Sequence, residues 1–382
     1  MLYIKNRIFR FLIKNRDERR ITRFRRMNKK TGGNIMKKAL SWILVVAMVF
    51  AMIGCSKASE TPASEPSEEA QTGEGAGEAK DMKVVALLSG VITDNGWNQI
   101  CYESVKAISD QYGTELEYIE NIAVSDMSGY IRMYGDDGYD MVIVHGSQFE
   151  SNVVELAAQY PDTMFCLSYG FKVEDGAEVN IADIPNMAYV GPVNMGIVIG
   201  GIMGILTETD KVVFLGGQDI PAITDIVSGI AEGVALTNPD ATATTDYLGT
   251  LTDQDKGKEV ALSYINQGYD VISASANSAQ IGCLLAAEER GVYAIGFNGD
   301  QYSLAPDAIV LSVMRNYPSI YLDVFESILD GTWQSGMVVY DLGDDGTLVS
   351  DWHGWDEKLP AEKVEAIETF LDDLYAGNLG DY

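Results

Sequence analysis

From Lys83 onward, short apolar runs alternate with stretches whose apolar residues recur at helical spacing. The runs predict strands at 84–88, 115–119, 141–144, 164–167, 187–190, 212–215, 244–248, 271–274 and 293–297. Between them the spacing predicts helices at 152–160, 196–207, 223–237, 256–267 and 278–290. Largely alternating strand and helix implies parallel sheets covered by helices on both faces. The strands are too many for one small domain, so two such lobes are expected. Turn chemistry agrees. Gln267-Gly268-Tyr269-Asp270 echoes Asp137-Gly138-Tyr139-Asp140, each a helix stop, a glycine and entry into a buried strand. Gly191-Pro192-Val193-Asn194 breaks the alternation and is the candidate crossing between lobes. The expected division is a first lobe at 82–190, completed by about 301–335, and a second at 191–300, completed by about 336–382.

One loop stands out against this pattern. Asp94-Asn95-Gly96-Trp97-Asn98-Gln99 follows the run at 84–88 and leads into helical spacing at 100–112. Open α/β sheets bind ligands at the carboxyl ends of their strands, which is where this loop lies. Its residues fit two readings: a turn and helix cap with Trp97 in the core, or a site for a flat polar molecule. In the second, the ring stacks and the short amides read edges. His145 to Ser151 (HGSQFES) follows another first-lobe strand, and there Phe149 fits a second stacking ring or a core residue equally well. Asn277 lies at a second-lobe strand end and is expected to face the cleft. Gly196 to Gly204 (GIVIGGIMG) is too short to span a membrane and lacks a phosphate-loop ending, so it reads as a helix packed closely on a sheet. Asp341 to Asp351 (DLGDDGTLVSD) lacks the spacing of a calcium loop and reads as a solvated hairpin turn.

Charge separates the chain into two regions. The formal net charge is −29, yet residues 1–55 hold 14 of the 27 Lys and Arg and only two acids, Asp17 and Glu18. Beyond residue 55 stand 13 basic and 54 acidic residues, a balance that argues against nucleic acid as a partner. Met36-Lys37-Lys38, the apolar run 39–53 and Gly54-Cys55 form a secretory signal ending in a cysteine, like a bacterial lipobox. Cys55 is therefore the expected lipidation site and membrane anchor. Residues 1–35, arginine-rich and ahead of a complete signal, read as a mis-annotated leader, with Met36 the expected start. Residues 56–81 are mostly Ser, Glu, Ala, Gly, Pro and Thr and read as a disordered acidic tether. Cys101, Cys166 and Cys283 form no CxxC pair and read as buried thiols, a disulfide among them staying open. With His145 and His353 the only histidines, no metal site, cofactor or histidine-based catalysis is expected.

Two α/β lobes around a cleft is the architecture of periplasmic-type binding proteins, which close on a ligand by hinge motion. Phe214 to Pro221 (FLGGQDIP), Leu248 to Lys258 (LGTLTDQDKGK) and Gly291 to Gln301 (GVYAIGFNGDQ), with the Asp94–Gln99 loop, resemble the basic membrane protein (PnrA-like) family of nucleoside-binding lipoproteins. The resemblance runs from about Lys83 to about Trp333. It implies the type I periplasmic-binding-protein fold, two doubly wound parallel-sheet lobes joined by a three-strand hinge. It also implies an ABC importer subunit, monomeric, that captures a purine nucleoside and docks on permease subunits. Carried over, Asp94, Asn95 and Asn98 read polar edges, Trp97 stacks on the base, and Asp300 accepts from ribose hydroxyls. Arg315, in LSVMRN, stands where the family usually has lysine, exchanging a point charge for a planar fork. A ligand sensor, or a binder of a free nucleobase, sugar or vitamin on the same fold, stays open as the alternative. An enzyme lacks a nucleophile elbow or metal cluster in this sequence, and a repressor would need a DNA-binding headpiece.

Overall fold

The computed structural model describes residues 79–168, 183–340, 342 and 345–380. The expected leader, signal, Cys55 anchor and most of the tether lie outside the described residues. Residues 79–81 form a turn of helix and Ala79 is fully buried, so the folded body begins before the expected end of the tether at 81.

The first lobe is laid down as β1 (Val84–Leu88), α1 (Trp97–Tyr112), β2 (Glu117–Ile119), α2 (Val124–Asp136), β3 (Met141–His145), α3 (Glu150–Leu156), β4 (Met164–Ser168) and β5 (Met187–Pro192). The second follows as α4 (Met195–Leu206), β6 (Lys211–Gly216), α5 (Pro221–Thr237), β7 (Thr242–Tyr247), α6 (Gln254–Ile265), β8 (Val271–Ser275), α7 (Ala279–Arg290), β9 (Tyr293–Asn298) and β10 (Ile309–Arg315). The chain then returns through α8 (Tyr317–Leu329) and β11 (Gly336–Tyr340), and ends with β12 (Thr347–Val349), α9 (Trp355–Lys358) and α10 (Ala361–Tyr375).

Two six-stranded sheets result, in the orders β11-β5-β4-β3-β1-β2 and β12-β10-β9-β8-β6-β7. The first is parallel throughout, and in the second only the β10–β12 edge pair is antiparallel. The inner strands of each sheet are buried on both faces, which is why they read as continuous apolar runs, while the edge strands β2 and β7 are only partly buried. Along β1 the odd and even residues part: Val84, Ala86 and Leu88 join one core, Val85 and Leu87 the other. β6 does the same, with Val212 and Phe214 on one face and Val213 and Leu215 on the other.

The first crossing between sheets falls where the sequence places it, between β5 and α4. The returns do not. Ile309–Arg315 adds to the second sheet, and the first lobe is completed only by α8 and by β11 pairing with β5. The run at 309–315 is as apolar as its neighbours but was absent from the predicted strands. Residues 341–351 are likewise no hairpin: β11 belongs to one sheet and β12 to the other, so this stretch is a third crossing. Cys101, Cys166 and Cys283 are buried and free, and burial raises each thiol, Cys283 to about 12.

The glycine-rich α4 packs against another helix more than against a sheet. A Cβ on Gly196 would stand 2.0 Å from the Ile226 carbonyl oxygen of α5, and one on Gly200 2.2 Å from that of Ile230. The two backbones touch, which only residues without side chains permit. Gly200→Ala is expected to destabilise the fold by roughly 1–3 kcal/mol, since backbone cannot yield as a side-chain end would. A thermal melt checks this, and an unchanged Tm would mean that the helices do not meet there.

Candidate functional site

In each sheet the strand order reverses beside its first strand, between β1 and β3 in one lobe and between β6 and β8 in the other. At such a switch point the following loops diverge and leave a crevice at the carboxyl ends of the strands. The cavity lies there, lined by Ser89 after β1, Gly146 to Gln148 after β3, Ile220 after β6, and Ser275 and Asn277 at the end of β8. Trp97, Asn298 and Arg315 complete its polar and aromatic wall, Ile223 and Leu251 its apolar one. The cavity has a volume of about 60 Å³, room for several waters.

The loop after β1 is built by Asp94. Its Oδ1 accepts from the backbone N–H of Gly96 (3.0 Å) and Gln99 (3.1 Å), and its Oδ2 from that of Asn98 (3.0 Å) and from Asn98 Nδ2 (2.8 Å). The buried carboxylate thus satisfies N–H groups at the start of α1 that no helical carbonyl can reach. Asn98 completes the brace, its Oδ1 accepting from Gly90 N at 3.0 Å. The polar atoms of Asp94 and Asn98 thus hold their own loop, and neither residue lines the cavity. Asn95 is exposed with φ 53°, and its carbonyl accepts from Gln301 Nε2 of the second lobe at 2.9 Å.

Trp97, the first residue of α1, is half-buried and stacks on His145, ring centroids 3.9 Å apart at 23°. His145 is wholly buried, and loss of solvation, with the nearby Arg315 charge, lowers its pKa to about 3. Its tautomer follows from its partners. Nε2 faces the Trp97 carbonyl at 2.7 Å and must donate, so Nδ1 accepts from Ser168 Oγ at 2.6 Å. The Ser168 oxygen in turn meets Tyr321 Oη at 2.5 Å. Trp97 is therefore fixed both by its ring and by its backbone.

Across the cleft, Arg315 is buried at the end of β10. Its Nε donates to Asn298 Oδ1 (3.0 Å), and the guanidinium lies 5.3 Å from the Trp97 ring and 5.2 Å from that of Phe297. Asn277 and Asn298 both hold positive φ, 43° and 75°. Asparagine tolerates this left-handed region better than most residues, and strained backbone of this kind clusters at binding sites.

Of the residues singled out from the sequence, the cavity gathers Trp97, Asn277 and Arg315. Phe149 is not there: it ends the short 3₁₀ turn Ser147–Phe149 before α3 and is fully buried with Val144, Leu167 and Met127 in the first-lobe core. Nor is Asp300. Its Oδ1 accepts from Tyr302 N (3.1 Å) and its Oδ2 from His353 Nε2 (2.7 Å), on the partly exposed side of the second lobe. Asn298, Ser89 and Gln148 were missed. All three lie at or just past strand ends, the signal that located Asn277.

His145 gives a pH signature. Its folded pKa is depressed, so its contribution is complete above the unfolded value near 6.5. It is lost as pH falls toward 3, because only the unfolded chain takes up the proton. Between pH 7 and pH 5 this amounts to roughly 2 kcal/mol. Chemical denaturation at both pH values should show His145→Gln losing less stability than the parent by about that amount; parallel losses would refute the buried neutral ring.

The family model described as "Bmp: ABC transporter substrate-binding protein PnrA-like" matches residues 82–367. A Haloferax volcanii protein named as an ABC transporter glucose-binding protein is 23% identical over 321 residues, 79% of this chain and 80% of its own. A Brucella abortus protein named as purine-binding is 25% identical over 300 residues, 76% of this chain and 82% of its own. Among solved structures, an ABC transporter solute-binding protein of Aeropyrum pernix superimposes with a TM-score of 0.66 at 18% identity, over 78% of this chain and 92% of that one. Its likeness shows the same two-lobed α/β fold. The chain belongs to the PnrA-like (Bmp) family of ABC transporter substrate-binding proteins.

Proposed function

We propose that this protein captures a purine nucleoside or a related flat heterocycle between its lobes and presents it to the permease of an ABC importer. The observation that carries the reading is the convergence of Trp97 from one lobe with Asn277, Asn298 and Arg315 from the other on a single cavity at both switch points. An aromatic face beside a guanidinium and amides suits a planar ring whose edge carries acceptors and donors. Such a wall offers little to a compound without a ring face. The purine-binding relative from Brucella supports the class, and the glucose-binding relative from Haloferax makes a sugar the competing outcome.

The proposal includes a location. Cys55 carries the lipid that holds the folded body outside the membrane. Among the described residues no helix is long and apolar enough to cross a membrane. The protein works as a monomer, one cleft to each hand-over.

Calorimetric titration with a panel of purines, pyrimidines and sugars tests the ligand class. Heat with a purine compound and none with glucose is expected; binding of glucose alone would sink the reading. Trp97→Ala should weaken the purine compound about tenfold or more, the worth of a stacking contact of about 1.4 kcal/mol. Unchanged affinity in that variant would take Trp97 out of the site.

A further inference from the structure

We infer that the cleft accepts a heteroaromatic base without its ribose, in preference to the nucleoside. This rests on the proposed capture of a purine-type ring and narrows it. Recognition of a vicinal diol calls for an acceptor able to take two hydroxyl protons, and a carboxylate does this best. Of the strand-end carboxylates, Asp219 beside Ile220 is engaged by the Tyr247 hydroxyl, and the fold holds Asp94 and Asp300 away from the cavity. Asp94 accepts from three backbone N–H groups and the Asn98 amide, which together build the loop that presents Trp97. Asp300 is gripped between Tyr302 N and His353 Nε2, and the His353 ring lies flat on Tyr302, centroids 4.3 Å apart at 13°. Among the described residues no acidic side chain lines the cavity; its polar groups are hydroxyls, amides and the Arg315 guanidinium. These read the edge of a planar ring.

The seam between the lobes limits size in the same sense. Gln301 Nε2 reaches across to the Asn95 carbonyl at 2.9 Å, while Gln301 Oε1 accepts from Phe297 N at 2.9 Å and its backbone N–H donates to Ser312 Oγ at 3.1 Å. That side chain is anchored at both ends. Gly96 lies against the same surface: a Cβ there would stand 3.4 Å from Gln280 Nε2 and 3.8 Å from Asn298 Nδ2. Gln280 Nε2 is buried with no hydrogen-bond partner among the described residues. With the lobes joined in this way, the cavity has room for several waters. A bare ring asks for less room in this joined cleft than the same ring with a ribose attached.

Calorimetry on the full chain with hypoxanthine, inosine, adenine and adenosine decides the matter. Each base is expected to bind at least tenfold tighter than its nucleoside, and Asp300→Asn to change base affinity less than twofold. His353→Ala frees Asp300 and should narrow the gap between base and nucleoside; an unaltered gap would show that the clamp does not exclude ribose. Nucleosides binding as tightly as bases, or a tenfold loss of base affinity in Asp300→Asn, would overturn the inference while leaving purine capture standing. No heat from any of the four would overturn the capture reading itself.

Discussion

The cleft depends on a carboxylate that does not line it. Asp94 gathers the N–H groups of Gly96, Asn98 and Gln99 onto its two oxygens and so fixes where α1 begins. Trp97 is the first residue of that helix, so its ring position is set by the cap before any ligand contact is considered. From the other side, His145 takes the Trp97 carbonyl as its acceptor and the indole as its stacking partner. The buried imidazole stays neutral, and its one proton is committed to that carbonyl. Presentation of an aromatic ring at a strand end is thus a product of hydrogen bonding in the loop and beneath it. Loop flexibility has little place here, since the groups that hold Trp97 are buried on both sides.

Much of this architecture was legible in the sequence because parallel sheets buried on both faces leave uninterrupted apolar runs. The predicted strands became β1 to β9 with boundaries moved by a residue or two, and the crossing at Gly191–Asn194 was marked by its Gly-Pro break. The later crossings carry no such mark. Ile309–Arg315 passes through Asn316 directly into α8, so nothing in the composition announces that the chain has changed lobes. The stretch after Tyr340 looks like a polar turn whichever sheet its flanks join. Pairing partners decide that, and they lie far away in sequence.

The candidate site was legible by place more than by role. Strand-end reasoning found Trp97, Asn277 and the neighbourhood of Asn298. Residue type misled where it was followed without geometry. Asp94 and Asp300 are acids at strand ends, yet each caps backbone N–H groups, the ordinary use of aspartate in a turn. Phe149 is an aromatic next to the cavity loop, yet faces the core. In each case the local demand of the backbone for acceptors, or of the sheet for apolar cover, accounts for where the side chain is held. Sequence reveals such demands only when both partners of a hydrogen bond are close along the chain. Those of Asp94 were close; His353, the partner of Asp300, was not.

The interleaving of the lobes bears on how the molecule assembles. β5 finds its outer neighbour in β11, which is made only after the whole second sheet but its edge strand has been synthesised. β10 in turn waits for β12, beyond β11. Neither lobe can close its sheet as the chain emerges, and no single cut separates one complete lobe from the other. Pairings so distant in sequence are slow to form and leave unpaired strand edges exposed meanwhile. In a chain of this topology the outer edges of both sheets are therefore paired last, and a truncation after β10 removes the outer strand of both lobes at once.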